Sequence, residues 1–538
     1  MHLSSLDMSR RQAVERPTAI AWSAPGRDWS FAEVEALTNR LAQAMVAAGV
    51  GRDDRVATLT RHQPESAMVT LAAQKIGAVC MPVNWRLAGP EVQYILDDGQ
   101  ARFLMTDAEF APLLAGIAVP TLRATVLSQA QPPGGAGSNS RGETAGAQWP
   151  TLEQWAAPHP NIDPGFRPQP EDAALQLYSS GTTGLPKGVE LSHRALTHSL
   201  VDGVAEVWDY RPQSDVNLNA LPAFHIAGHG IALLTHAMGG LSVTLPDFEP
   251  VAVLDALVKR RVSHAFLVPA MIQFLLQAPG VEKQDFSALK MISYGASPIS
   301  DRVLIDAMRV LGCDFVQVYG LTETSGAVTV LPARDHVAEG PRAALLRSAG
   351  LAMKDVELRV IRPGTDETAD EGEVGELLVR TPKNMTRYWR KPEATQDTLI
   401  PGAPGEDPWL RTGDAGYMQD GYLFLHDRIK DMIVSGGENI YPAEVENALM
   451  LHPSVADGAI IGVPDDKWGE AVKAIVVLKP GTAADAQAIM AFMRERIARF
   501  KCPKSVDFVD SIPRNPSGKI LKRVLREPYW KDHARRIA

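Results

Sequence analysis

The chain has 538 residues, 45% of them hydrophobic and 22% charged, with a formal net charge of −9. That is a globular composition, too long for one core, so two to four domains or subdomains are expected. An acidic balance without a long basic run excludes nucleic acid as the main partner. Cys80, Cys313 and Cys502 stand far apart without metal-ligand spacing, which fits a reduced, cytoplasmic compartment. Met1 to Arg11 lacks the apolar core of a signal peptide, and no apolar stretch approaches the roughly 20 residues of a membrane span. The final Arg-Arg-Ile-Ala is not a peroxisomal tripeptide.

Along the chain, Ser30 with Glu33 forms a capping-box signal, and Phe31, Val34, Leu37, Leu41, Met45 and Ala48 follow at helical spacing. A strand is predicted at 55–59, a helix at 65–76 and a strand at 78–83. Continued alternation predicts an α/β fold with largely parallel sheets. The Gly/Ser/Pro-rich stretch 128–149 reads as a mobile surface excursion, with regular signals resuming near 171. Near 427–440, charged residues precede Ser435-Gly436-Gly437, which predicts a hinge rather than a crossing of the core. Pro442 then opens a helix at the first-turn position proline tolerates. Strands at 455–463 and 471–478 and an amphipathic helix near 484–499 complete a small α+β domain. No internal repeat is evident.

Four segments carry chemistry. Residues 178–189 follow an apolar run (Ala173, Ala174, Leu175, Leu177) and read Tyr-Ser-Ser-Gly-Thr-Thr-Gly-Leu-Pro-Lys-Gly-Val. Backbone N–H groups of Gly181, Gly184 and Gly188, and the hydroxyls of Ser179, Ser180, Thr182 and Thr183, suit phosphate oxygens, with Lys187 as a mobile cation. The run is not a Walker A loop, because Pro186 precedes Lys187 and Gly188 follows it. Read without its neighbours it is also compatible with an exposed turn. Tyr319-Gly320-Leu321-Thr322-Glu323-Thr324 follows the apolar Phe315, Val316 and Val318, and predicts a loop at a strand's C-terminal end, where α/β sheets bind ligands. Tyr319 can stack on a purine and Glu323 can hold Mg²⁺ on phosphates, although a lone glutamate in a loop is more often a solubilising surface group. Arg411-Thr412-Gly413-Asp414-Ala415-Gly416 reads alone as a turn, and Pro516-Ser517-Gly518-Lys519 as a basic tail or a loop tip presenting one ammonium group.

Together these segments resemble the adenylate-forming superfamily, in its AMP-forming acyl-CoA synthetase branch, from about residue 10 to 525. Asn84-Trp85-Arg86-Leu87, Tyr94 through Asp98, Phe224-His225, Tyr294-Gly295-Ala296-Ser297 and Asp427 through Glu446 add to the likeness. The resemblance implies a large N-terminal domain (1–429) of α/β subdomains with a β-barrel-like part, and a small mobile C-terminal domain (430–538). It implies a hydrophobic carboxylic acid activated by ATP and Mg²⁺ to acyl-AMP and pyrophosphate, then passed to coenzyme A; a freestanding ligase loading a carrier protein is the alternative. By the same resemblance Lys519 acts in the first step, with Thr322 near the α-phosphate and Glu323 and Thr182 on Mg²⁺. Tyr319, Gly320, Gly295, Ala296 and Ser297 flank adenine, and Asp414 and Arg428 bind ribose. Lys430 is the hinge, Gly436 and Gly437 adjoin the pantetheine tunnel, and His225 is a gate or wall of the acyl and pantetheine tunnels. Amino-acid-activating relatives carry an aspartate where this chain has His225, which argues against amino acids. Ala227, Gly228, Gly230 and Ala232 leave room for a bulky acid, or only for close packing of helix on sheet. No membrane span is expected; a homodimer is left open.

Overall fold

The computed structural model describes residues 4–129, 149–179, 185–362, 364–428, 431–435, 438–465, 467–514 and 520–531, without the side chains of 202, 204–206, 427–428 and 438–439. The 130–148 part of the Gly/Ser/Pro-rich excursion therefore lies outside the described residues, as does the proposed hinge at Lys430.

The α/β expectation holds, and local chemistry explains where its elements start. Ser30 Oγ accepts from Glu33 N while the Glu33 carboxylate accepts from Ser30 N, and helix Phe31–Ala47 follows. The two otherwise unsatisfied N–H groups are thereby paired. Phe31, Val34, Leu37, Leu41 and Met45 are buried on one face. Strand Arg55–Leu59 falls where predicted; helix Pro64–Gln74 and strand Val79–Pro82 start or stop within two residues of the predicted limits. Helix Pro64–Gln74 has no exposed side at all, so it is packed all round rather than amphipathic.

Two sheets position the site. The smaller orders Arg387–Tyr388, Lys187–Ser192, Ala173–Ser179, Val79–Pro82, Arg55–Leu59, Ala101–Thr106 and Ala124–Leu127; Lys187–Ser192 is antiparallel to both its neighbours, and all later pairs are parallel. The larger runs in parallel from Ile20–Ala24 through Leu241–Thr244, Val216–Asn219, His264–Leu267 and Met291–Gly295 to Asp314–Leu321. It then continues antiparallel through Gly326–Leu331, Gly350–Ala352, Tyr422–Arg428, Trp409–Gln419, Gly375–Arg380 and Glu357–Ile361. These antiparallel strands are hydrogen-bonded continuously to the parallel part. Towards the C-terminus, Val455–Asp465 pairs with Gly469–Leu478 under helices Pro442–Met450 and Ala486–Arg494, around Ile433, Leu449, Ile460, Val476 and Met493. The last of these helices is shorter than predicted: Asp485 caps it by accepting from Ala488 N, and it ends at Arg494.

The seam between helix Pro64–Gln74 and helix Ile226–Ala237 holds buried histidines. Thr70 Oγ1 lies 3.2 Å from His229 Nε2 and 3.0 Å from Cys80 Sγ. His236 stacks on Trp22 at 4.4 Å and meets Ser9 Oγ at 2.9 Å. Burial pushes His62, His229 and His236 down to about 3, about 4 and about 3. Their neutral forms are the ones the fold accepts. Below the ordinary value of 6.5 the unfolded chain binds protons that the folded chain does not. Stability should be intact above that value and fall as pH drops through the window towards the folded-state values. Denaturant midpoints measured at about pH 7.5 and about pH 5 should differ in that direction, and His62→Gln with His236→Gln should flatten the difference.

Candidate active site

The site is built around Glu323. Strand Asp314–Leu321 runs further than the predicted loop allowed, so Tyr319 and Gly320 belong to its end and only Thr322–Thr324 form a single 3-10 turn. The fully buried Thr324 closes that turn: its Oγ1 accepts from Leu321 N (2.9 Å) and donates to Gly326 O (2.7 Å). Ser325 follows at φ +54°, the left-handed region, with Ser199 Oγ donating to its carbonyl and its own Oγ donating to Lys383 O. The turn is thus held from both sides before any ligand is considered.

Glu323 Oε1 accepts from Ser179 Oγ at 3.1 Å and from Tyr388 OH at 2.9 Å, and its main-chain oxygen accepts from Met385 N at 2.7 Å. Ser179 ends strand Ala173–Ser179, and Lys187 stands opposite it at the start of the returning strand. The Lys187 ammonium lies 4.8 Å from the centroid of the Tyr388 ring. One carboxylate oxygen is therefore fixed by two hydroxyls with a cation close by, an arrangement suited to a metal–phosphate pair. Behind Ser179, Tyr178 donates to Asp98 at 2.7 Å; burial and Asp98 raise its phenol far above the ordinary value, keeping it a donor.

A second pair lies along the same sheet edge. Tyr319 OH donates to Asp414 Oδ2 at 2.7 Å. Asp414 is not in a turn, as its glycine neighbours suggested, but inside strand Trp409–Gln419, opposite Arg428. Gly413, at φ +68°, breaks the strand locally, and Thr412 Oγ1 accepts from Asp414 N while donating to Leu377 O. Gly295 ends strand Met291–Gly295, where a Cβ would stand 2.2 Å from Val318 O; a Cβ on Gly320 would stand 1.8 Å from Gly326 O. Strand packing alone therefore demands both glycines. Ala296 adopts φ +69° and turns the chain away at Ser297.

The structure thus brings together Ser179, Lys187 and Glu323, with Thr322 next in chain, and separately Tyr319 with Asp414. Ser180, Gly181, Thr182, Thr183, Gly184, Gly436, Gly437 and Lys519 lie outside the described residues, as does the Arg428 side chain. His225 immediately precedes helix Ile226–Ala237, its ring 4.6 Å from Phe224. His229, one turn on, is buried against Thr70, and no cluster of three or more His, Cys, Asp or Glu suits a metal among the described residues. Tyr388 was not found from the sequence. Its only local signal is an aromatic pair, Tyr388-Trp389, set between Arg387 and Arg390.

Two sheets meeting at a carboxylate held by hydroxyls, with a glycine-rich segment between adjacent strands, define a nucleotide-handling α/β enzyme. The family model of the AMP-binding enzyme matches residues 9–389, and that of its C-terminal domain matches 444–519. The chain belongs to the AMP-binding enzyme family, part of the adenylate-forming superfamily. It is 39% identical over 98% of its length, and 96% of the relative's, to the fatty acid–[acyl-carrier-protein] ligase ScoC of Streptomyces coeruleorubidus. It is 36% identical over 97% of its length, and 98% of the relative's, to the long-chain-fatty-acid–CoA ligase FadD13 of Mycobacterium tuberculosis. The crystal structure of ATP-bound MatB from Rhodopseudomonas palustris superposes with a TM-score of 0.86 at 30% identity, covering 99% of each chain.

Tyr388→Phe keeps the ring over Lys187 and removes one donor from Glu323. A hydrogen bond to a charged group contributes about 1.5–3 kcal/mol, so Mg²⁺–ATP affinity should fall by about tenfold or more. Calorimetric titration without acid measures this; an unchanged affinity would rule out the Tyr388 role.

Proposed function

We propose that the protein activates a hydrophobic carboxylic acid with Mg²⁺–ATP, giving acyl-AMP and pyrophosphate, and then transfers the acyl group to the thiol of coenzyme A, releasing AMP. The observation that carries this reading is the convergence of Ser179 and Tyr388 on Glu323, with the Lys187 ammonium over the Tyr388 ring. A carboxylate is a weak nucleophile towards an anionic phosphate, so charge must be neutralised and the two groups held in line. In this reading Glu323 and Thr182 hold Mg²⁺, and Ser179, Ser180, Gly181, Thr183, Gly184 and Lys187 hold the phosphates. Thr322 adjoins the α-phosphorus. Gly295, Ala296, Ser297, Tyr319 and Gly320 flank adenine, and Asp414 with Arg428 takes the ribose. The pairing of Tyr319 with Asp414 supports those two assignments, because it fixes the aromatic face and the carboxylate relative to each other.

The acid is assigned to the apolar face between helix Ile226–Ala237 and the larger sheet, where Ala227, Met271, Val318 and Ala327 are only partly covered. His225 stands at its mouth. Lys519, carried by a mobile domain of residues 430–538 on a body of residues 1–429, serves adenylation; rotation about Lys430 would then bring Gly436 and Gly437 to the pantetheine arm. We assign the protein to the cytoplasm; among the described residues no helix is long and apolar enough to cross a membrane. A homodimer is compatible with this reading. The likeness to a carrier-protein ligase supports a second reading, in which the thiol belongs to a carrier protein's pantetheine.

Pyrophosphate release from ATP across a panel of carboxylic acids, with coenzyme A or with a carrier protein, tests both. Acid-dependent release with acyl-CoA formation is expected; release indifferent to every acid would overturn the ligase reading, and thioester formed only on the carrier would favour the second. Lys519→Ala should abolish acyl-AMP formation while largely sparing thioester formation from supplied acyl-AMP. Equal loss of both half-reactions would remove Lys519 from its role.

A further inference from the structure

One end of the face assigned to the acid carries a buried tryptophan. Trp208 follows helix His193–Val207 and is buried in the apolar cluster that contains Ile231, Leu234, Phe266 and Val316. Its Nε1 donates to Ser293 Oγ at 2.7 Å, a buried hydrogen bond. Tyr210 and His264 back the indole at ring distances of 6.2 and 6.0 Å, and Tyr210 OH donates to Asp215 O. The indole is therefore pinned on several sides and is not a side chain free to swing away. Ser293 precedes Gly295 by two residues on one face of the strand, so the indole meets that face about 7 Å short of the strand's end.

The side of the face differs from its end. On helix Ile226–Ala237 a Cβ added at Gly228 would stand 2.3 Å from Pro222 O, so that glycine serves close packing. A Cβ added at Gly230 would meet no described atom within 4 Å. Gly230 lies three residues after Ala227 and four before Leu234, on the side of the helix that those residues turn to the apolar cluster. Its φ is not left-handed, so a side chain is conformationally acceptable there. Of the two accounts of the small residues, packing explains Gly228, whereas at Gly230 no described atom calls for a glycine.

We infer that Trp208 and Gly230 set the acid specificity of this enzyme: Trp208 is the floor that limits depth, and Gly230 leaves width, so the site takes compact acids, aryl or short-chain, in preference to extended long-chain ones. This rests on the ligase reading above. The two positions predict opposite changes. Trp208→Ala deepens the site and Gly230→Leu narrows it, whereas general damage to the fold would lower the rates with all acids together.

The experiment is acid-dependent pyrophosphate release with straight-chain acids from butyrate to hexadecanoate and with phenylacetate and phenylpropionate. For the wild type, kcat/KM should be about tenfold or more lower with dodecanoate than with hexanoate. Trp208→Ala should raise the dodecanoate-to-hexanoate ratio by about tenfold, and Trp208→Phe, which keeps an apolar ring in place, by less. Gly230→Leu should lower phenylacetate relative to hexanoate by about fivefold or more, with the melting temperature unchanged or raised, since glycine inside a helix is destabilising. Wild-type activity as high on dodecanoate as on hexanoate would overturn the depth limit, as would an unaltered ratio in a folded Trp208→Ala or Trp208→Phe protein. An unaltered aryl preference in Gly230→Leu would overturn the width assignment. Release with no acid in any of the proteins would overturn the ligase reading and the inference with it.

Discussion

The site depends on one constraint: a short strap, residues 385–389, which carries the edge strand of the smaller sheet, must be held against the turn of the larger sheet for Tyr388 to reach Glu323. The strap is fastened on both sides. Met385 N donates to Glu323 O, Thr386 N to Glu190 O and Trp389 N to Gly188 O, and Trp389 Nε1 donates to Asp98 O. Beneath it the buried Glu190 is paired with Arg55, itself buried, and with Arg387. The Arg55 guanidinium sits 3.5 Å from the centre of the Trp389 ring. Burial lowers the Arg55 pKa and Glu190 opposes that shift, so each charge depends on the other for compensation. Losing one partner of such a buried pair costs about 3–5 kcal/mol, because the remaining charge stays out of water. The pair thus acts as a registration device: it fixes the strand that carries Val189 and Gly188 against the strap, and hence Lys187 against the Tyr388 ring.

This arrangement lets the two sheets each contribute to one polar cluster while the carboxylate in it is held by hydroxyls. Glu323 rides on a turn closed by Thr324 and Ser325, Ser179 on the end of a strand in the other sheet, and Tyr388 on the strap. None of the three hydrogen-bonding groups is close in sequence to another. The sheet ends meet here, so the acidic and hydroxyl groups lie at the rim. Just below, the same larger sheet turns an apolar face to helix Ile226–Ala237. A polar rim above and an apolar face below follow from one sheet geometry, because side chains alternate faces along a strand while strand ends expose polar turns.

The capping box at Ser30, the strand 55–59, the proline-opened helix at Pro442 and the two strands after it were legible in the sequence because each depends on nearest neighbours: hydroxyl to N–H, apolar spacing, a fixed proline φ. The segments at 178–189 and 319–324 were legible for a related reason, since each is a short contiguous run inside the stretch that the family model matches. Two site segments were misread locally. Asp414 between glycines looked like a turn, yet it lies inside a strand, because pairing with Gly375–Arg380 and Tyr422–Arg428 overrides the local preference of glycine. Tyr319 and Gly320 looked like a loop, yet they continue strand Asp314–Leu321, and the carbonyl oxygen of Gly326 leaves no room for a side chain at Gly320.

The sequence by itself determined the family and the α/β order of elements, because those are properties of short contiguous runs. Only the tertiary structure decided that Tyr388 belongs with Glu323, that a Cβ at Gly228 would collide with Pro222 O while one at Gly230 would meet no described atom, and that Trp208 is pinned to Ser293. Each of those depends on distances between residues far apart in the chain. Such distances are set by how two sheets and their helices pack, and no local pattern of residue types encodes them.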